Sequence, residues 1–229
     1  MRDRRKVHRP WGRGILAALA LALPAAAQQS SVVGTLHNLS VSGPGEIKSP
    51  TETRVCRFCH IPHHADGPEP MWGHALSQAQ YESAELTAGG GGRRPAPQPD
   101  GASRLCLSCH DGTIALGDVG GGRPVEMTVR RLRPGRRGFL GTDLSGSHPI
   151  SFVYPQADPV DSGGSSDMRL LPLATVLRDA AVRLDQNGKM QCTTCHDAHA
   201  DRFYRPGRVP RFWVKPTISE VCLTCHALR

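Results

Sequence analysis

The sequence predicts a chain that is mostly coil with short α-helices and little regular sheet, folded around something other than its own side chains. Three observations lead there. Gly and Pro together make up 44 of 229 residues, too much backbone punctuation for long helices or wide sheets. Aromatic residues are only 5% of the chain, so its own side chains offer little of the apolar burial that must offset ordering entropy. All 8 cysteines fall in four copies of one pentapeptide, Cys-x-x-Cys-His.

The copies are Cys56-Arg-Phe-Cys59-His60, Cys106-Leu-Ser-Cys109-His110, Cys192-Thr-Thr-Cys195-His196 and Cys222-Leu-Thr-Cys225-His226. This spacing is the attachment signature of c-type haem. Two thiols add across the vinyl groups of one porphyrin, and the adjacent histidine lies under the iron as its proximal ligand. Paired zinc knuckles need no histidine after each second cysteine. Framework disulfides seldom use Cys-x-x-Cys, which is redox-labile. The expectation is therefore haem c, four groups per chain, each a large apolar plate. The fold class becomes a haem-cored multihaem cytochrome c, largely unfolded when haem is absent.

Element by element, residues 1–27 read as a cleaved signal peptide. A basic stretch runs into the apolar segment Ile15 to Leu23, then Ala25-Ala26-Ala27. The apolar segment is too short to span a bilayer, and no transmembrane segment is expected in the mature chain. Export follows, to the cell surface or extracellular space, with the periplasm as the alternative. Residues 28–229 read as a single tetrahaem domain with flexible loops near 88–101, 117–138 and 158–167. Helices are expected from Ser77 to Leu86 and from Pro172 to Leu184, where Pro172 suits a first turn. Leu173, Val176, Leu177, Ala180, Ala181 and Leu184 would form the apolar face of the second helix. Each Cys-x-x-Cys-His is expected on one helical turn. A weak internal repeat links CLSCH with CLTCH, and Cys109-His110-Asp111 with Cys195-His196-Asp197.

The formal charge of +8 is misleading, because residues 1–27 carry six basic residues and one acid, leaving +3 for the rest. Four haems, each with two propionates against one ferric charge, would add about −4. Nucleic-acid binding is not implied. The local cluster Arg130, Arg131, Arg133, Arg136 and Arg137 fits a solvated loop or the neutralisation of propionates.

Each iron needs a ligand on its second face. Beyond the motifs and the leader, the chain offers His37, His63, His64, His74, His148 and His199, with Met71, Met127, Met168 and Met190; both residue types ligate haem iron. His63 lies three residues after His60 and His199 three after His196, too near to reach the same haem but well placed for another. His37, His63, His148 and His199 are the expected distal ligands, and His64 and His74 are spare. Ligands on both faces make an electron carrier rather than an enzyme. Two alternatives stay open. One is a monomeric periplasmic electron shuttle. The other is a multihaem reductase of a small nitrogen oxide, which needs an open iron with acid–base residues beside it.

The stretches HNLSVSGPG (37–45), CRFCHIPHHA with MWGHALS (56–77), CLSCHDGTIAL (106–116), GTDLSGSHPISF (141–152), CTTCHDAHA (192–200) and SEVCLTCH (219–226) resemble the doubled-CxxCH cytochromes. Within them the chain resembles the tetrahaem extracellular cytochromes that polymerise into conductive filaments (nanowires). The resemblance implies bis-histidine ligation, with His37, His63, His148 and His199 at the matching positions. It implies a head-to-tail homopolymer in which His37 is exchanged with a neighbouring subunit, and redox proteins or extracellular acceptors as partners. Ala198 departs from the family pattern, which has Pro there.

Overall fold

The computed structural model describes residues 31–61, 71–87, 92–120, 123–155 and 168–228. The leader, His63, His64 and the 158–167 loop lie outside them. Coil dominates, as expected. Six short strands are numbered in chain order: β1 (Glu82–Ser83), β2 (Glu85–Thr87), β3 (Arg93–Pro95), β4 (Asp143–Leu144), β5 (Met168–Leu170) and β6 (His226–Leu228). They form three two-stranded pairs, β1 parallel to β4, β2 antiparallel to β3, and β5 antiparallel to β6. The helices are α1 (Gly101–His110), α2 (Leu173–Val176), α3 (Cys192–Cys195) and α4 (Ile218–Cys225). Among the described residues no helix is long and apolar enough to cross a membrane.

All four motifs sit on helical turns. The first occupies a 3-10 turn over Val55–Phe58, the second ends α1, the third is α3, and the fourth ends α4. Local sequence explains where the longer helices stop and start. Gly112 follows α1 with φ +75, a left-handed conformation that suits glycine. A Cβ there would meet the Leu132 carbonyl at 2.6 Å. Thr217 caps α4 by accepting from the Glu220 N–H.

The apolar core is small and divided. One cluster joins Tyr154, Val176, Val182, Met190, Val221 and Cys225; the other holds only Tyr81, Leu107 and Leu144. Between them lies a polar knot around Gln191, 1% exposed. Its Oε1 accepts from the Ser103 N–H and hydroxyl at 3.2 and 2.5 Å. Its Nε2 donates to Asp100 and Asp185, both at 3.0 Å. One side chain thus binds α1 to α3.

Two expected helices are corrected. Residues 77–86 are extended: Gln98 takes both the N–H and the carbonyl of Tyr81 through its side-chain amide, and β1 and β2 fall in this stretch. Those backbone groups find partners outside the segment, so the helix has nothing left to bond. The second expected helix survives only as α2. Asp179 accepts from the N–H groups of Ala181 and Val182, an Asx-type turn that halts it. Val176 and Val182 are buried, whereas Leu177 is 64% exposed, so the apolar face does not continue. The 88–101 stretch is also not loop throughout, since β3 lies within it.

Candidate haem sites

The first and third motifs are built on one plan. The Cys59 carbonyl accepts from the Gly73 N–H at 2.9 Å, and the Ile61 N–H donates to Met71 at 2.9 Å. Correspondingly, the Cys195 carbonyl accepts from Val214 at 3.1 Å, and Asp197 donates to Phe212 at 2.8 Å. The strap in each case carries a tryptophan, Trp72 edge-on to His60 and Trp213 edge-on to His196. The residue before each tryptophan is left-handed, Met71 at φ 63 and Phe212 at φ 61. A non-glycine pays a conformational penalty there, and it is incurred twice in the same place. The second and fourth motifs share the other plan, each closing a longer helix. The chain is thus two halves of like construction, a short-turn motif followed by a helix-end motif.

The histidines of different segments come together in pairs. His37 and His110 have ring centres 6.0 Å apart, His60 and His199 6.1 Å, and His148 and His226 6.3 Å. These are the expected distal residues, each opposite a motif histidine. His196 faces no second imidazole at such a distance among the described residues, and His63, the remaining expected distal ligand, lies outside them. His37 meets His110 of its own chain, and is further fixed by stacking on Phe212 at 4.1 Å.

Hydrogen bonding assigns the tautomers. The Nδ1 atoms of His37, His110, His148 and His196 lie against the carbonyls of Ala198 (3.0 Å), Gly138 (2.6 Å), Pro149 (2.8 Å) and Arg211 (3.1 Å). Each Nδ1–H donates, leaving the lone pair on Nε2, and metal-bound histidines are held in the same way. His199 has its Nδ1 3.5 Å from the Asp197 carboxylate. Burial lowers the pKa of His37 to about 4, and burial likewise lowers those of His196 and His226. Lowering favours the neutral ring, the form in which an imidazole can bind a metal. His74 is different. It is 4% exposed, with Nδ1 on the Ala75 carbonyl and Nε2 on that of Ala115. Neither nitrogen turns to open space. Met190 is core rather than ligand.

Among the described residues three buried nitrogens have no partner: His60 Nδ1, Trp72 Nε1 and Arg211 Nε. They lie beside motif histidines or their straps. Such atoms, together with free Nε2 lone pairs and paired thiols, form a donor set that fits haem.

The thiols are mostly held protonated. Burial pushes Cys59 and Cys225 up to about 11 and Cys109 and Cys195 up to about 12. The neighbouring thiols of Cys106 and Cys192 act on each other, raising the first and lowering the second to about 7.

Sequence reasoning missed the Trp72 and Trp213 straps, the Gln191 knot and the carbonyls that orient the rings. Only the tryptophans left a signal, each lying 12 to 17 residues after a motif histidine.

The family model for the doubled CXXCH motif matches residues 186–228, the stretch holding the third and fourth motifs. No curated protein matches the chain. The matched motif is one that attaches haem c, and it supports reading the chain as a multihaem c-type cytochrome suited to electron transfer.

Proposed function

We propose that this chain is an exported tetrahaem electron carrier whose four irons are each held between two imidazoles. The observation that carries the reading is the set of three ring pairs at 6.0, 6.1 and 6.3 Å. With metal–nitrogen bonds of about 2 Å, two imidazoles on opposite faces of one metal have centres about 6 Å apart. Haem supplies reversible one-electron chemistry. The chain's residues fix its orientation, ligand field and exposure to water.

Pseudo-symmetry of the halves supports the fourth pair. His199, three residues after His196, lies opposite His60. The reciprocal partner of His196 is then His63, three residues after His60. The halves would exchange these ligands, while His37 and His148 each serve the helix-end motif of their own half. Two imidazoles per iron also hold the potentials below those of His/Met haems and leave no coordination site for substrate.

The polymer implied by the resemblance is part of the same proposal, in revised form. His37 has a partner in its own chain, so the contact between copies needs no borrowed His37. The direct test is the purified secreted protein. Pyridine haemochrome content and intact mass should give four haems per chain, and electron paramagnetic resonance should show low-spin ferric iron only. A chain of polypeptide mass, or a stoichiometric high-spin signal, would refute the ligation scheme. Negative-stain microscopy of the same material separates filament from monomeric shuttle.

A further inference from the structure

Charge in this chain is segregated. Residues 123–137 and 201–211 together contain ten basic residues and two acids; the rest of the chain from residue 28 contains twelve basic residues and seventeen acids. A near-neutral protein therefore carries a strongly positive region. The two segments also touch: Arg137 donates to the Tyr204 hydroxyl at 3.4 Å, and the Arg211 guanidinium lies 3.8 Å over the Tyr204 ring.

The first segment is anchored, not loose. Leu132 is buried, the Arg130 carbonyl accepts from Leu116 at 2.8 Å, and Leu140 donates to His110 at 2.8 Å. With Leu132 turned inward, Arg130, Arg131 and Arg133 are exposed. On the second segment Arg202, Arg205 and Arg208 are exposed. None of these six forms an ion pair among the described residues. Two of the nearby acids are engaged, Asp201 by Arg211 at 2.5 Å and Glu46 by Arg136 at 3.5 Å, and Glu126 is the one acid within the first segment.

Each segment ends on a carbonyl that holds a motif histidine. Gly138, directly after the first, accepts from His110, and Arg211, closing the second, accepts from His196. The positive face is thus tied directly to the backs of the second and third motif histidines.

We propose that this arginine face is the docking surface for an acidic electron-transfer protein, which exchanges electrons through the haems of the second and third motifs. The inference rests on the haem reading above. Concentrated unpaired guanidiniums steer an oppositely charged partner and raise association rates by roughly 10- to 1,000-fold at low salt. Salt at about 0.1 M screens that attraction beyond roughly 10 Å.

The test uses the haem-loaded protein with flavodoxin, a small acidic flavoprotein, as probe. Binding of oxidised flavodoxin is measured by calorimetry, and reduction by reduced flavodoxin in stopped flow, across ionic strengths. Wild type should bind, with a rate falling steeply as salt rises. Arg131→Glu/Arg133→Glu/Arg205→Glu should weaken both at least tenfold, while the corresponding Arg→Lys triple variant retains them. Haem content and reduction by the small cation methyl viologen radical should stay intact in each variant. Binding and rates indifferent to charge reversal and salt overturn the proposal. So does a variant that loses retention on heparin yet keeps its flavodoxin rate, which assigns the face to an anionic polymer. Absence of haem from the purified chain is seen in its absorbance first, and it refutes the electron-carrier reading itself.

Discussion

The two halves share a plan but not a filling. In the second half, Phe212 at the left-handed position of the strap is 9% exposed and stacks on His37. In the first half the same position holds Met71, 55% exposed. The second half surrounds its motifs with six buried apolar residues and eight more packed against them; the first has a cluster of three. The first half compensates with polar bonding. Thr35, Asn38, Ser40 and Ser49 are 0% exposed, and Asn38 bridges Val33, Ser40 and Ser42. Repetition of a haem-attachment frame therefore does not require repetition of the core. Polar turns hold one half, and apolar packing holds the other.

The sharpest way to break the comparison is through the ligands that the halves are proposed to exchange. His199→Ala and His63→Ala should give the same signature, one quarter of the haem passing from low-spin to high-spin ferric iron. Electron paramagnetic resonance of the purified holoproteins measures it. A change in the first variant but none in the second would mean that the exchange runs in one direction only, and that His196 takes its second ligand elsewhere.

Next in size is the knot between the halves. Gln191→Ala would leave the buried N–H and hydroxyl of Ser103 without their acceptor. Unsatisfied buried polar groups cost about 1–3 kcal/mol each, so a loss of about 3 kcal/mol is expected. Chemical denaturation should then resolve two transitions where wild type shows one. A single transition at lower denaturant would mean that the haems, not Gln191, couple the halves.

The left-handed straps give a matched pair. Phe212→Ala removes a buried ring and should cost about 3 kcal/mol, with the added effect of freeing His37. Met71→Ala, at an exposed position, should stay within about 0.5 kcal/mol. Thermal unfolding of the two holoproteins decides this. Equal costs would show that the stack on His37 adds nothing.

These contrasts also mark how much the sequence disclosed. The motif turns were legible because the chemistry itself fixes their spacing. So were the histidines whose rings face His60, His110 and His226, since each proposed haem iron needs a ligand on its second face. Which ring meets which was not legible. His37 reaches His110 only because Phe212, far along the chain, supplies its wall, and periodicity carries no such information. The two expected helices failed for a related reason. Gln98 captures the backbone of Tyr81, and Asp179 captures that of Ala181 and Val182. Side chains outbid helix propensity wherever tertiary structure positions them first.

The smallest effect concerns Asp179, the residue that halts α2 and also reaches α4 by binding Lys215 and Thr224. Burial opposes its ionisation, but Lys215 and the Val182 and Ala181 N–H groups outweigh that and bring its pKa from 3.8 to about 2. A carboxylate whose folded pKa is depressed adds stability above its unfolded pKa, near 4, and loses it as pH falls towards 2. Solvent screening limits the gain to about 1 kcal/mol. Asp179→Asn should therefore be about 1 kcal/mol less stable than wild type at pH 7, the gap closing between pH 4 and pH 2. Denaturation of both holoproteins across that range measures it. Asparagine can still accept from the Ala181 and Val182 N–H groups, so the turn cancels in the comparison, and a gap that stays undiminished at pH 2 would show that the charge of Asp179 is not its source.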